Sequence, residues 1–298
     1  MNNSELCSFH KVEMYIARSF PSHAFYVNYV AGCALNVLLT VSAILLNGLV
    51  IIAYWKSPQL RRKSSHFLIM LLSVNDLVVG VLGNANHAVT LVLTLNGDPK
   101  CVMYILVDLL AFPTAAMSFM TLFVLNVERY LSVVHPIYHR TKVTKSKLFC
   151  CAVVLWSVSI AVMICYATLG AIAKNLTSFI MCFIIFATCY VYISIFRAAR
   201  KPVRVSSVEV RARTQRIQDE QNINLAKSCA IAVICTLACY LPFAVARSLQ
   251  RNDFQTLVLA MWSVTCALAA SSLNCVVFFL RNPVLRTEVK RIFNLKRM

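Results

Sequence analysis

Charge is what this chain has least of. Asp, Glu, Lys and Arg make up 13% of its 298 residues, while 59% are hydrophobic. At a mean hydropathy of +0.71, no soluble domain of this length hides so much apolar surface without exposing large patches. The bulk must dissolve in lipid. The scarcity is uneven, with 11 acidic residues against 29 basic ones and a net charge of +18. The first 25 residues lack the apolar core of a signal peptide, so the first spanning segment is expected to direct insertion itself. Internal repeats of the kind that mark many transporters are also lacking.

What is there is a series of seven apolar stretches, each long enough at about 20 residues to cross a bilayer. They fall near 26–54, 65–93, 102–131, 148–170, 178–199, 225–249 and 254–280. Short connections make this one bundle. The expected fold is an all-α membrane protein, a seven-transmembrane helix bundle with a short amphipathic eighth helix. Residues 1–25 form the outer N-terminus, 26–281 the membrane domain and 282–298 the inner amphipathic helix and tail. All but six of the 29 Lys and Arg lie in the odd-numbered loops and the C-terminal segment. The six are Lys11, Arg18, Lys100, Lys174, Arg247 and Arg251. Basic residues stay on the cytoplasmic side, so the N-terminus is expected outside and the C-terminus inside. The basic excess then faces anionic membrane lipid and cytoplasmic partners, not nucleic acid.

Thirteen cysteines imitate a disulfide framework, yet ten fall in or near spans, where a thiol acts as a small hydrophobe. Cys7 and Cys101 sit on the oxidising side and are a candidate bridge whose connectivity sequence leaves open. Sequons at Asn2 and Asn175 also fall outside.

The third span runs through Leu122-Phe123-Val124-Leu125 into Glu128-Arg129-Tyr130. A charge at membrane depth costs several kcal/mol and is normally kept for function. Helix ends do carry snorkelling anchors, and alone that bland reading suffices. It weakens once the other intramembrane polar groups are set out span by span. The first has Asn47, the second Ser73, Asn75 and Asp76, the fourth Trp156 and the fifth Tyr190. The sixth has Cys239-Tyr240-Leu241-Pro242-Phe243, and the seventh Ser271, Ser272 and Asn274.

This ordered set, over residues 30–293, resembles the rhodopsin-like family of G-protein-coupled receptors. The resemblance implies a non-enzymatic receptor at the plasma membrane that passes an extracellular signal to heterotrimeric G proteins. It further implies that Glu128 holds Arg129 at rest, and that Arg129 turns on activation toward Tyr190 and the incoming G protein. An ion pair at a wet helix end is worth only about 1 kcal/mol, so it is expected to break readily. Pro242 removes a backbone hydrogen bond and is expected to kink the sixth span; Asn274 and Phe278 stand in the seventh-span switch motif. In Asn282-Pro283, Asn caps and Pro suits the first helical position. The residues after it place Val284, Leu285, Val289 and Ile292 on one face of an interfacial helix.

Three departures narrow the branch. The segment joining spans four and five is a few residues near Ala173–Thr177 and holds no cysteine, so the mouth is expected to stay open. Cys182 stands where the fifth span usually has proline. The seventh span reads Asn274-Cys275-Val276-Val277-Phe278, and Tyr240 replaces a common tryptophan. These features are similar to the melanocortin receptors and, less closely, their lipid-receptor cousins. The acidic triad of the melanocortin pocket falls here at Asn86, Tyr104 and Asp108, so only Asp108 survives. Amine recognition would need an aspartate at Ala111, and no lysine in 254–280 permits a Schiff base. Candidate ligand residues are therefore Asn86, His87, Tyr104, Asp108, Tyr240, Arg247 and Trp262, for a small peptide or a lipid-like molecule. Each is also a residue type that serves elsewhere as an ordinary interfacial anchor or helix contact. Asp76, deep in the bundle, must find a partner or a proton. Asn47, Ser118, Ser271 and Asn274 are its expected neighbours, and the resemblance implies a sodium ion there. Otherwise no cofactor is expected. Other readings are a seven-helix protein that binds ligand or partner without signalling, and a membrane transporter.

Overall fold

The computed structural model describes residues 4–9, 12–17, 19–20, 22–169, 183, 186–191, 193–194, 197, 227–243, 245–246 and 253–294. Sequence expectations for Asn2, Arg247, Asn175, Cys182 and the Ala173–Thr177 connection lie outside the described residues.

Among the described residues, five helices are long and apolar enough to cross a membrane. Helix α1 runs His23–Lys56; its 34 residues span about 50 Å at 1.5 Å per residue, more than a bilayer core requires. Ser57 then caps a single turn, α2 Pro58–Arg62, by accepting from Leu60 N, with Pro58 at the first helical position. The next two spans are α3 Ser64–Leu95 and α4 Cys101–Val134. Each contains a π-helical stretch, Val79–Asn84 in α3 and Val107–Ala111 in α4, and the two stretches pack together. Gly80 lies within the first, where a Cβ would come 2.6 Å from Ala43 Cβ, so α1 approaches α3 closely only because glycine stands there. Gly97, at φ 76°, takes the left-handed turn between α3 and α4.

Short α5 Pro136–Lys142 follows α4, and α6 Lys145–Leu169 follows it. Residues 186–191 are helical. The shorter apolar helix α7 Lys227–Phe243, the span α8 Phe254–Arg281 and α9 Pro283–Asn294 complete the described helices. Asn282 caps α9, its Oδ1 accepting from Leu285 N at 3.2 Å. Leu285 and Val289 on α9 are buried in the same apolar cluster as Leu68, Leu122 and Phe278. The apolar face of α9 is thus partly committed to the bundle.

Ahead of the helices lies a β-hairpin that the polar N-terminal sequence gave no reason to expect. Strands β1 Ser4–Phe9 and β2 Val12–Ala17 pair antiparallel, Ser4 opposite Ala17 and Phe9 opposite Val12. Among its described side chains, Cys7, Ile16 and Ala17 are buried. Ile16 and Cys7 pack with Ile105 and Tyr104 of α4. Ala17 packs with Tyr29, Leu91, Leu257 and Met261, at the ends of α1, α3 and α8. Cys7 and Cys101 form a disulfide with Cα atoms 5.6 Å apart. The open mouth expected from the short fourth-to-fifth connection is therefore corrected: this end carries a hairpin, pinned to α4 and seated on apolar side chains.

Candidate functional site

The opposite end of the bundle holds Glu128 and Arg129. Arg129 donates from Nε to Glu128 Oε2 and from Nη2 to Oε1, each at 2.6 Å. Ser64, the first residue of α3, donates its hydroxyl to Oε1 at 2.7 Å. His139 on α5 closes on Oε1 at 2.8 Å through Nε2. Since a carboxylate only accepts, that nitrogen carries a proton. Glu128 is 0% and Arg129 4% exposed. The expectation of a wet, weakly held pair is corrected by this burial. Removing one partner of such a pair costs about 3–5 kcal/mol, because the other charge is left buried. Partial burial, and then the Arg129 charge, pull the neighbouring Lys63 ammonium below its ordinary pKa.

Ser64 and His139 were not singled out from sequence. The available signal was Pro136, which starts a helix and so turns His139, one turn along, back toward α4. Tyr190, expected to meet Arg129 on activation, is 64% exposed in this resting arrangement. Its neighbour Val191 is the buried residue, packed on Tyr130 and Val133. Tyr130 also meets His135 edge-on. Pro242 lies next to the described end of α7, and Phe278 is fully buried in the main apolar cluster.

In mid-bundle, Asp76 is 1% exposed. Ser118 donates its hydroxyl to Asp76 Oδ1. Asn274 donates from Nδ2 to Oδ2 at 3.3 Å and accepts from Thr236 at 3.1 Å. One chain of hydrogen bonds thus ties α4, α3, α8 and α7. Asp76, Ser118, Ser271, Asn274 and Tyr240 border a cavity of about 10 Å³, room for one water-sized body. A carboxylate, two hydroxyls and an amide carbonyl thus face one small cavity, and oxygen donors are what a hard cation takes. Asn47 does not border it; its Nδ2 donates to Ala43 O within α1, and its Oδ1 has no partner among the described residues. A parallel link, in which Asn75 and Trp156 both donate to Thr121, joins α3, α4 and α6.

Toward the hairpin, the expected ligand residues separate into two groups. Asn86 and His87 follow the α3 π-stretch directly, and Asp108 lies within that of α4. His87 and Asp108 are buried, and Asn86 Nδ2 and His87 Nε2 have no partner among the described residues. Asn84, which sequence reasoning missed, is fully buried with both amide atoms likewise unpartnered. Such atoms cost about 1–3 kcal/mol each when unsatisfied, so a polar group or water reaching this level of the bundle would be stabilised there. The others are already engaged. Tyr104 hydroxyl meets Thr94 at 2.8 Å, and Trp262 donates to Asn28 at 3.0 Å while packing beside the hairpin. Tyr240 packs edge-on to Phe119 beside the Asp76 cavity.

Residues 46–175 match the family described as 7 transmembrane receptor (rhodopsin family). The chain is 24% identical to cannabinoid receptor type 1B of Takifugu rubripes, over 88% of this chain and 63% of that one. It is 31% identical to the D(1) dopamine receptor of Carassius auratus, over 46% of this chain and 37% of that one. Against the D(5)-like dopamine receptor of Takifugu rubripes it is 29% identical, over 66% and 46%. The chain therefore spans less than two thirds of the length of each of these relatives.

Proposed function

We propose that the chain is a rhodopsin-like seven-transmembrane receptor, as the match over residues 46–175 supports, and that it carries an extracellular ligand signal to heterotrimeric G proteins. The observation that carries this reading is the buried latch in which Glu128, itself bonded by Ser64 and His139, holds Arg129. A guanidinium kept from water on a carboxylate that two other helices hold in place is a stored charge that an opening bundle exposes. The resting network supports a role for Arg129 in meeting a cytoplasmic partner, with the N-terminus outside, the C-terminus inside and the protein in the plasma membrane.

For the ligand, the hairpin over the mouth and the few unpartnered polar groups beneath it favour a lipid-like molecule with a compact polar head. Its head would meet Asn84, Asn86 and His87, and its tail would enter between helices. The cannabinoid-receptor likeness over most of the chain supports the same side of the family. Dopamine-receptor likeness does not extend to an amine ligand, because Ala111 stands where the aspartate would be needed. The melanocortin-like reading keeps only Asp108 of its acidic triad and is the weaker one. A sodium ion held by Asp76, Ser118 and Ser271 would offset the buried carboxylate and stiffen the resting bundle.

The test is ligand-free activation of a panel of G-protein sensors in cells, with wild type and Arg129→Ala at matched surface expression. Basal exchange that Arg129→Ala abolishes supports the reading. Basal exchange indifferent to the substitution refutes the assigned role of Arg129.

A further inference from the structure

Two adjacent thiols, Cys150 and Cys151, lie near the start of α6, and both are exposed. We propose that this pair is a site of reversible S-acylation by a long-chain fatty acyl group, resting on the reading that the α5–α6 end of the bundle is cytoplasmic.

Depth, surroundings and a place for the chain agree on it. Lys147 is exposed and donates to Lys142 O at 3.1 Å, while Lys145 donates to Arg61 O. These ammonium groups mark the headgroup level of an anionic leaflet. Cys150 lies three residues further along the helix, about 4.5 Å deeper, where a thiol still reaches an enzyme working at the interface. On the same helix face, one and two turns beyond Cys150, Val154 is 62% and Val158 42% exposed. This apolar strip runs away from the thiols toward the membrane centre and lies alongside the path an attached acyl chain would take. Cys229 and Cys275, by contrast, are buried, and exposed Cys266 lies mid-span in α8, far from any aqueous donor. Juxtamembrane cysteine beside a basic collar is the setting in which thioester acylation operates.

The donor is a long-chain acyl-coenzyme A. A cysteine thiolate attacks its carbonyl carbon, a new sulfur–acyl bond forms, and the bond to the coenzyme A sulfur breaks. The departing coenzyme A thiolate takes up the proton that the cysteine gave up on ionising, and hydrolysis of the product by water returns the thiol and a fatty acid.

The full chain, tagged at its N-terminus, is expressed in mammalian cells fed an alkyne-bearing palmitate analogue, then captured and stained. A hydroxylamine-sensitive label is expected, falling at least about five-fold in Cys150→Ser/Cys151→Ser and retained in Cys266→Ser. An unchanged label in the double variant, or none on the surface-expressed wild type, overturns the site. Where the double variant fails to reach the surface, acyl-to-polyethylene-glycol exchange and peptide mass spectrometry on the unaltered chain decide. A mass tag on residues 150–151 supports the site, and a tag elsewhere overturns it. Impermeant labelling of the N-terminal tag reads orientation separately. An inverted chain overturns both readings, whereas an unacylated chain with its N-terminus outside overturns the site alone.

Discussion

Replacing Glu128 by Gln removes the counter-charge of Arg129 while keeping the shape of the side chain. The carboxylate takes two bonds from Arg129, one from Ser64 and one from His139, all at 2.6–2.8 Å, with Glu128 0% exposed. Breaking a buried pair costs about 3–5 kcal/mol. The amide still accepts from Ser64, so the lower end, about 3 kcal/mol, is the fitting figure. That cost falls only on the resting arrangement, because an Arg129 turned toward the cytoplasm is hydrated. At 1.4 kcal/mol per decade, the resting state loses roughly a hundredfold in weight against the open one. A receptor resting at about 1% open would then be about half open. The assay is ligand-free nucleotide exchange on a G-protein sensor, at surface expression matched by flow cytometry. Glu128→Gln should raise basal exchange by ten-fold or more, and adding Arg129→Ala should abolish the rise. A Glu128→Gln basal rate within two-fold of wild type, on a sensor the wild type engages, would refute the latch and with it the energetic meaning given to its burial.

Three further outcomes are expected. Gly80→Ala forces a Cβ to 2.6 Å from Ala43, while Gly48→Ala meets nothing within 4 Å; detergent thermal unfolding should show a loss of about 1–3 kcal/mol for the first only, and equal melting points would contradict the close α1–α3 approach. Sodium chloride should raise the wild-type melting temperature above that in equal choline chloride, and Asp76→Asn should remove the difference; a difference that survives the substitution places the ion elsewhere. Cys101→Ser, or reduction of the folded receptor, should leave the hairpin held only by its apolar contacts, so limited proteolysis within residues 4–17 should quicken several-fold; unchanged cleavage would show that Ile16 and Ala17 anchor it without the disulfide.

The mid-membrane features were legible because lipid makes polar residues expensive. Asp76, Asn274 and Ser118 stood out against apolar neighbours, and the structure brings them together. The spans were legible for the same reason, with α1, α3, α4, α6 and α8 lying over the expected stretches. Legibility failed where water relaxes that constraint. The N-terminal hairpin carries no strong alternation, and its place depends on a disulfide and on apolar partners far along the chain. Likewise His139 reads as one more basic loop residue until α5 turns it back toward Glu128.

By itself, then, the sequence determined that this chain lives in a membrane, where its spans lie and which polar residues its bundle must shelter. Those outcomes follow from transfer free energies that each residue carries locally. Tertiary structure alone decided which charges are buried, which partners hold them and which end of the bundle is covered. Packing between distant segments sets each of these. The Glu128–Arg129 pair is adjacent in sequence, yet its strength comes from Ser64 and His139, brought to it by two other helices.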